Sequence, residues 1–465
     1  MSLHRRINIF NKNYGRHTIN RFNQRFASTN VSEWTPRIGL EIHAQIATKS
    51  KLFSAASTNF ASPINSAVSL FDCAIPGTMP VLNRKCVEAG VLTALALTCE
   101  LKEVSMFERK HYFYADLPAG FQITQQKKPL AVNGEIQFYV SVPGKQNHLY
   151  VKSSKIKQIQ LEQDSGKSLH VESTRRSLID LNRAGIPLLE LVFEPDLTDA
   201  EEAAALVKEL ILILELLGTC SCKMEEGAMR VDANVSVSRE NEPLGIRTEI
   251  KNIGSVRALA AAIKYEVERQ ISVLEAGGIV INETRSWDAE RKATLSMRRK
   301  EEKHDYRFMP ETNLPHLRLH VDENVENAYN LVDVVSLRKQ IPKLPEQIRN
   351  ELREVYHLSP QMITAIMGSF TLLRLFYTMI KKQDREPQLV AKFLSIEVMT
   401  FLHENNLQIE FCEGKEDFFG ELVDLLQSKK INLLVIEQVL NKLLLELEKT
   451  PQQIIEENNW FLISD

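Results

Sequence analysis

The sequence predicts an α+β fold: a largely antiparallel sheet covered by helices, then a separate all-α region. Three observations carry this. Several stretches alternate apolar and polar residues at the period of a half-buried strand. These strands do not alternate one for one with helices, so a doubly wound parallel sheet is not favoured. From about Leu331 the strand signal fades, and Pro345, Pro360, Pro387 and Pro451 punctuate short helical stretches.

The first strand is "RIGLEIHAQIA", Arg37 to Ala47. Ile38, Leu40, Ile42, Ala44 and Ile46 share one face, and Glu41, His43 and Gln45 share the other. Asn83 caps a helix that opens at "RKCVEAG". "VNGEIQFYV" and "LYVKSSKIKQIQLEQD" read as strands. Thr198, with Glu201 three residues later, reads as a capping box for a helix that closes at Gly218. "RVDANVSVS" and "GIRTEIKNIGS" alternate, and Ser255 begins a long helix ended by Gly277-Gly278.

The 465 residues are 44% hydrophobic and 25% charged, enough for a sizeable core. A net charge of -3 excludes a general polycation, so any nucleic-acid contact needs a local patch. The six cysteines form no CxxC pair and read as reduced thiols. The most apolar run, "LVKELILILELLG", is interrupted by Lys208, Glu209 and Glu215, whereas a membrane span needs about twenty predominantly apolar residues. Residues 1–30 carry Arg5, Arg6, Lys12, Arg16, Arg21 and Arg25 and no acid. That composition predicts a mitochondrial transit peptide.

Three further strands repeat the pattern of the first. Gln158, Gln160, Glu162 and Asp164 share one face, as do Arg230, Asp232, Asn234 and Ser236, and Arg247, Glu249 and Lys251. Such faces also occur on merely solvated sheets, but Glu, His, Asp, Asn and Arg are groups that hold metals and phosphates. Gathered in one sheet, they would make a charged concave floor. "RKHYFYADLPAGFQITQ" surrounds Asp116 with aromatics, with Arg109 and Lys110 alongside as phosphate contacts; it serves either as a loop pinned to the core or as a stacking surface for a base. Asp164-Ser165-Gly166-Lys167 is no P-loop, since position 161 is Leu where the motif needs Gly.

Together, "IGLEIHAQI", "PGTMPVLN", "RKHYFYADLPAGFQITQ", "DLNRAGIPLLELV", "KMEEGAMRVDANVSV", "EIKNIGS" and "DYRFMPE" resemble the B-subunit family of glutamyl-tRNA(Gln) amidotransferases, in family order from about residue 36 to 312. With the basic leader, the resemblance is to the mitochondrial branch. It implies a cradle-like catalytic domain over 31–330, a helical domain over 331–410 and a helical tail, short for the family, over 411–465. It implies ATP and Mg2+ as cofactors, Glu-tRNA(Gln) as substrate, and two partners: an ammonia-supplying amidase (A) subunit and a small third subunit. DNA binding and membrane insertion are not expected, and the location implied is the mitochondrial matrix, with inner-membrane association open. Phosphorylation of the γ-carboxylate gives ammonia a leaving group that oxide cannot provide. On this basis Glu41, His43 and Glu162 are expected to hold metal, and Glu225 and Glu226 of "KMEEG" to join them in catalysis. Manganese is expected to substitute well, because histidine is an unusual partner for magnesium. Arg230, Asp232, Asn234 and Lys251 are expected at the ATP phosphates. Arg109, Tyr112, Tyr114 and Asp116 are expected at the tRNA acceptor end.

One departure bears on this site. Relatives commonly read His-x-Glu-Glu-Asp-Ala-Gly-Lys where this chain has Gln160-Leu161-Glu162-Gln163-Asp164-Ser165-Gly166-Lys167. A metal site short of one carboxylate is therefore expected, and a non-catalytic tRNA-binding scaffold is the alternative function.

Overall fold

The computed structural model describes residues 34–141, 149–299, 306–444, 446 and 449–462. The leader expected over residues 1–30 lies outside the described residues. Among the described residues the main sheet has nine strands: β1 (Trp34–Gln45), β2 (Glu100–Leu101), β3 (Ala131–Ser141), β4 (Leu149–Gln163), β5 (Pro187–Phe193), β6 (Met229–Arg239), β7 (Thr248–Ile253), β8 (Glu283–Asp288) and β9 (Ala293–Arg299). Their order is β9-β8-β7-β6-β1-β5-β4-β3-β2. Every pairing among them is antiparallel except β7 with β8. That parallel pair needs a crossover, which a helix between the two strands provides.

Three long helices cover the apolar face of the sheet. The first, α1 (Arg84–Ala96), packs on β4; α2 (Ala200–Leu217) packs on β3; and α3 (Val256–Glu275), the crossover, packs on β6, β7 and β9. The Asn83 side chain caps α1 by accepting from Lys85 N. The cap of α2 is Asp199, one residue beyond the expected Thr198. Its carboxylate accepts from Glu202 N at 2.7 Å, while Glu202 in turn accepts from the N–H and hydroxyl of Thr198. Glu202 wins this role over Glu201 because it is buried and also paired with Tyr150 and Lys152. Gly218 (φ +64°) ends α2 in the left-handed region that favours glycine.

Ile38, Leu40, Ile42 and Ala44 of β1 anchor the first core, which runs to Leu337. A second core takes in Ile348, Phe376, Phe393, Phe419, Val439 and Ile454. Leu206, Val207 and Leu210 of α2 face the first core, whereas Leu212 belongs to the second. Beside it, Arg349 of α4 (Pro345–Glu354) makes a two-pronged ion pair with Glu209 of α2.

The crossover is locked by one fully buried carboxylate. Glu266 of α3 accepts from Thr248 and Thr294 at 2.8 Å each, from Gln270 and from Arg269, with Arg285 3.3 Å away. Burial by itself raises its pKa, but Arg269 and the other donors outweigh this and hold it below the usual carboxylate value. Removing it in Glu266→Ala leaves Arg285 buried without this anion, at an expected cost of about 3 kcal/mol in urea unfolding. Because the folded pKa is depressed, the Glu266 contribution is present above the usual carboxylate range, about pH 4.3, and disappears as pH falls through the folded value. The stability difference between wild type and Glu266→Ala should therefore narrow on acidification; a constant difference would count against this assignment.

Candidate active site

The pairing register builds the site. Residue His43 of β1 lies opposite Arg230 of β6 on one side and Glu190 of β5 on the other, and Glu190 lies opposite Gln160 of β4. Neighbouring strands are about 4.8 Å apart, so four functional side chains form a row across the polar face. Glu41 and Asp232 face each other in the next row. The strands that carry the four predicted polar faces thus do lie in one sheet, with β5 inserted between β1 and β4.

His43 Nε2 is the centre. It lies 3.3 Å from Glu162 Oε1, 3.9 Å from Glu190 Oε2 and 4.0 Å from Glu41 Oε1. Ligand atoms of Glu41, His43 and Glu190 all fall within 4.8 Å of one another. Glu190 was not among the expected residues; it brings a further carboxylate to the floor from β5. Gln163 points elsewhere and lines a second cavity with Asp72 and Arg109.

The charge states follow from crowding. Burial raises the Glu162 pKa, but hydrogen bonding and charge from His43 dominate and bring it to about 2. Burial lowers that of His43, yet Glu162 and then Glu41 raise it overall. Glu190 is pushed well up, by burial first and then by the charges of Glu162 and Glu41. Three carboxylates crowd one imidazole, so the Glu162–His43 ion pair is favoured and Glu190 is the carboxyl pushed towards its neutral form. A divalent cation relieves the same repulsion. The donors, carboxylate oxygens with one imidazole, suit magnesium or manganese.

Above the floor is a cavity of about 560 Å3. Arg230 pairs with Asp164 at 3.0 Å, and Lys251 is held between Asp232 and Glu249, the latter at 3.1 Å. Burial works against the Lys251 charge, but the two carboxylates outweigh it and raise its pKa. A short hairpin, Glu108–His111 with Phe121–Thr124, closes over β4. It brings Lys110 and Tyr112 to the cavity wall. Tyr112 is fixed by its hydroxyl, which donates to Gln122 at 3.2 Å, and by edge contacts with Tyr114 and Tyr306. Tyr114 and Phe113 are exposed.

Several expected residues lie away from this floor. Glu225 and Glu226 belong to the turn before β6, where Glu226 pairs with Lys223 at 3.1 Å and Met224 reaches the cavity instead. Asn234 lies one pleat beyond Asp232, opposite Gly39 and Glu249, and is not part of the cavity wall. Arg109 is held in a two-pronged pair with the buried Glu311 (2.7 and 2.8 Å) and stacks on Phe121, so its guanidinium serves the loop, not a free phosphate. Asp116 is a loop anchor. Its carboxylate accepts from Ser168, and its backbone oxygen accepts from Gly166 N, where a Cβ would approach that oxygen to 2.9 Å. Sequence reasoning missed Glu190 and Thr124. A lone acid inside "PLLELVF" was the available signal, because a buried carboxylate needs partners.

Comparison with known proteins identifies the family. The GatB/GatE catalytic domain family matches residues 36–325, and the GatB domain family matches residues 374–465. The chain is 54% identical over 444 residues to the mitochondrial glutamyl-tRNA(Gln) amidotransferase B subunit of Aedes aegypti, covering 94% of this chain and 83% of that protein. It is 47% identical over 436 residues to the mitochondrial B subunit of Homo sapiens, covering 93% and 78%. It is 40% identical over 436 residues to the aspartyl/glutamyl-tRNA(Asn/Gln) amidotransferase B subunit of Rickettsia canadensis (strain McKiel), covering 94% and 86%. The chain belongs to the family of glutamyl-tRNA(Gln) amidotransferase B subunits.

Proposed function

We propose that this chain is the subunit that activates the γ-carboxylate of tRNA-bound glutamate with ATP, so that ammonia from an amidase partner converts Glu-tRNA(Gln) to Gln-tRNA(Gln). The observation that carries the proposal is His43 with three carboxylates within 4.0 Å on one sheet face, beneath a cavity rimmed by Lys110, Arg230 and Lys251. The scaffold alternative is not favoured, because three carboxylates still surround His43 on the floor. A small third subunit and a place in the mitochondrial matrix belong to the same proposal, as does the division of the chain at about residues 330 and 410.

In this proposal Glu41, His43, Glu162 and Glu190 hold Mg2+. Bound there, the ion would neutralise charge on the transferring phosphoryl group. Lys110, Arg230 and Lys251 supply fixed positive charge around the cavity and orient the anionic reactants. The substrate γ-carboxylate oxygen attacks the terminal phosphorus and ADP leaves; ammonia nitrogen then attacks the acyl carbon and phosphate leaves. Asp232 and Glu249 hold the Lys251 ammonium in place. Tyr112 and exposed Tyr114 offer aromatic faces to the acceptor end.

The test is ATP hydrolysis by the assembled complex with and without Glu-tRNA(Gln). Hydrolysis indifferent to the charged tRNA would refute the proposal. His43→Ala and Glu41→Gln should each lower kcat about 100-fold or more while complex assembly is retained, since both side chains leave the sheet on the side away from the core. A second pair of variants separates chemistry from packing. Lys110→Ala should lower kcat with little change in melting temperature. Arg109→Ala should instead cost about 3 kcal/mol of stability by stranding buried Glu311. If Arg109→Ala proves fully stable and loses only tRNA affinity, the loop-clamp assignment is wrong.

A further inference from the structure

Gln160 is 1% exposed and sits directly behind the carboxylates of the floor. Its amide nitrogen has two hydrogens and two acceptors. One is Glu190 Oε2 at 2.6 Å; the other is Thr124 Oγ1 at 3.1 Å. The Thr124 hydroxyl, itself buried, passes its own hydrogen to Glu162 Oε2 at 3.2 Å. The Gln160 amide oxygen accepts from Gln158 Nε2.

We infer that Gln160 is a positioning residue for the cation site: a neutral amide that holds Glu190 directly, and Glu162 through Thr124, in the orientation the cation needs. This rests on the metal assignment under the proposed function. Both carboxylates flanking His43 are thereby held by one group that carries no charge. Glu162 is held at Oε2 while Oε1 faces His43. An apolar side chain at position 160 would take one hydrogen bond from Glu190 and one from Thr124. A carboxylate there would add a further buried anion. An imidazole there would keep an N–H for Glu190. The buried hydrogen bonds behind a metal's ligands typically change its affinity 10- to 100-fold when removed.

The experiment uses Mn2+ as the probe, titrated into the complex with its partner subunits, without ATP or tRNA, and followed by the paramagnetic resonance signal of free ion. The dissociation constant should rise about 10-fold in Gln160→Leu and about 3-fold in Thr124→Val, which breaks the link to Glu162 and leaves the Gln160–Glu190 bond in place. Gln160→His should stay close to wild type. With saturating magnesium, kcat of Gln160→Leu should recover most of its value, because the residue orients the ligands and does not touch the reactants. Wild-type Mn2+ affinity in Gln160→Leu would overturn the inference. So would equal loss of affinity in the Leu and His variants accompanied by a fall in melting temperature, the mark of a purely structural role. If His43→Ala binds Mn2+ as wild type does, the metal assignment itself fails, and this inference falls with it.

Discussion

The register of β1 between β5 and β6 is the constraint on which the rest depends. It sets His43 between Glu190 and Arg230 and places Glu41 beside Asp232. A slip of one residue would turn the whole polar set into the core and Ile38, Leu40, Ile42 and Ala44 out into the cavity. These four side chains are at most 1% exposed, so the apolar face enforces the geometry of the polar one. The site is thus a by-product of packing: fully buried aliphatic residues specify where the charged ones stand.

Crowded carboxylates work against folding, and the structure answers at two levels. Around the floor, Lys110, Arg230 and Lys251 supply the opposite charge. Within the floor, the His43–Glu162 pair and the raised pKa of Glu190 reduce the number of uncompensated anions. A cluster kept in this condition suits the proposed divalent cation, because ligand atoms of Glu41, His43 and Glu190 already lie within 4.8 Å of one another.

Much of this was legible in the sequence and some of it could not be. Alternation displayed Glu41, His43, Glu162, Arg230 and Asp232 on polar faces because each strand has one apolar side. Glu190 escaped because β5 is buried on both faces and shows no alternation. The pair between Arg109 and Glu311 joins residues 202 positions apart, a separation that no local pattern reports. Glu225 and Glu226 show the opposite case: a charged pair beside a strand resembles a catalytic dyad, and the structure places both in the turn before β6. The cap of α2 was displaced by one residue because burial, which sequence spacing does not reveal, selected Glu202.

Helix α2 serves two cores, and this orders events in time. Residues 200–217 leave the ribosome before the later helices of the second core do. The sheet and its helices can therefore present Leu212 and Glu209 as a finished surface while those helices are still being made. The C-terminal helices can then pack on that template, where Arg349 pairs with Glu209 across 140 residues of chain. Synthesis from the N-terminus, in this architecture, amounts to assembly on a scaffold that the chain has already built for itself.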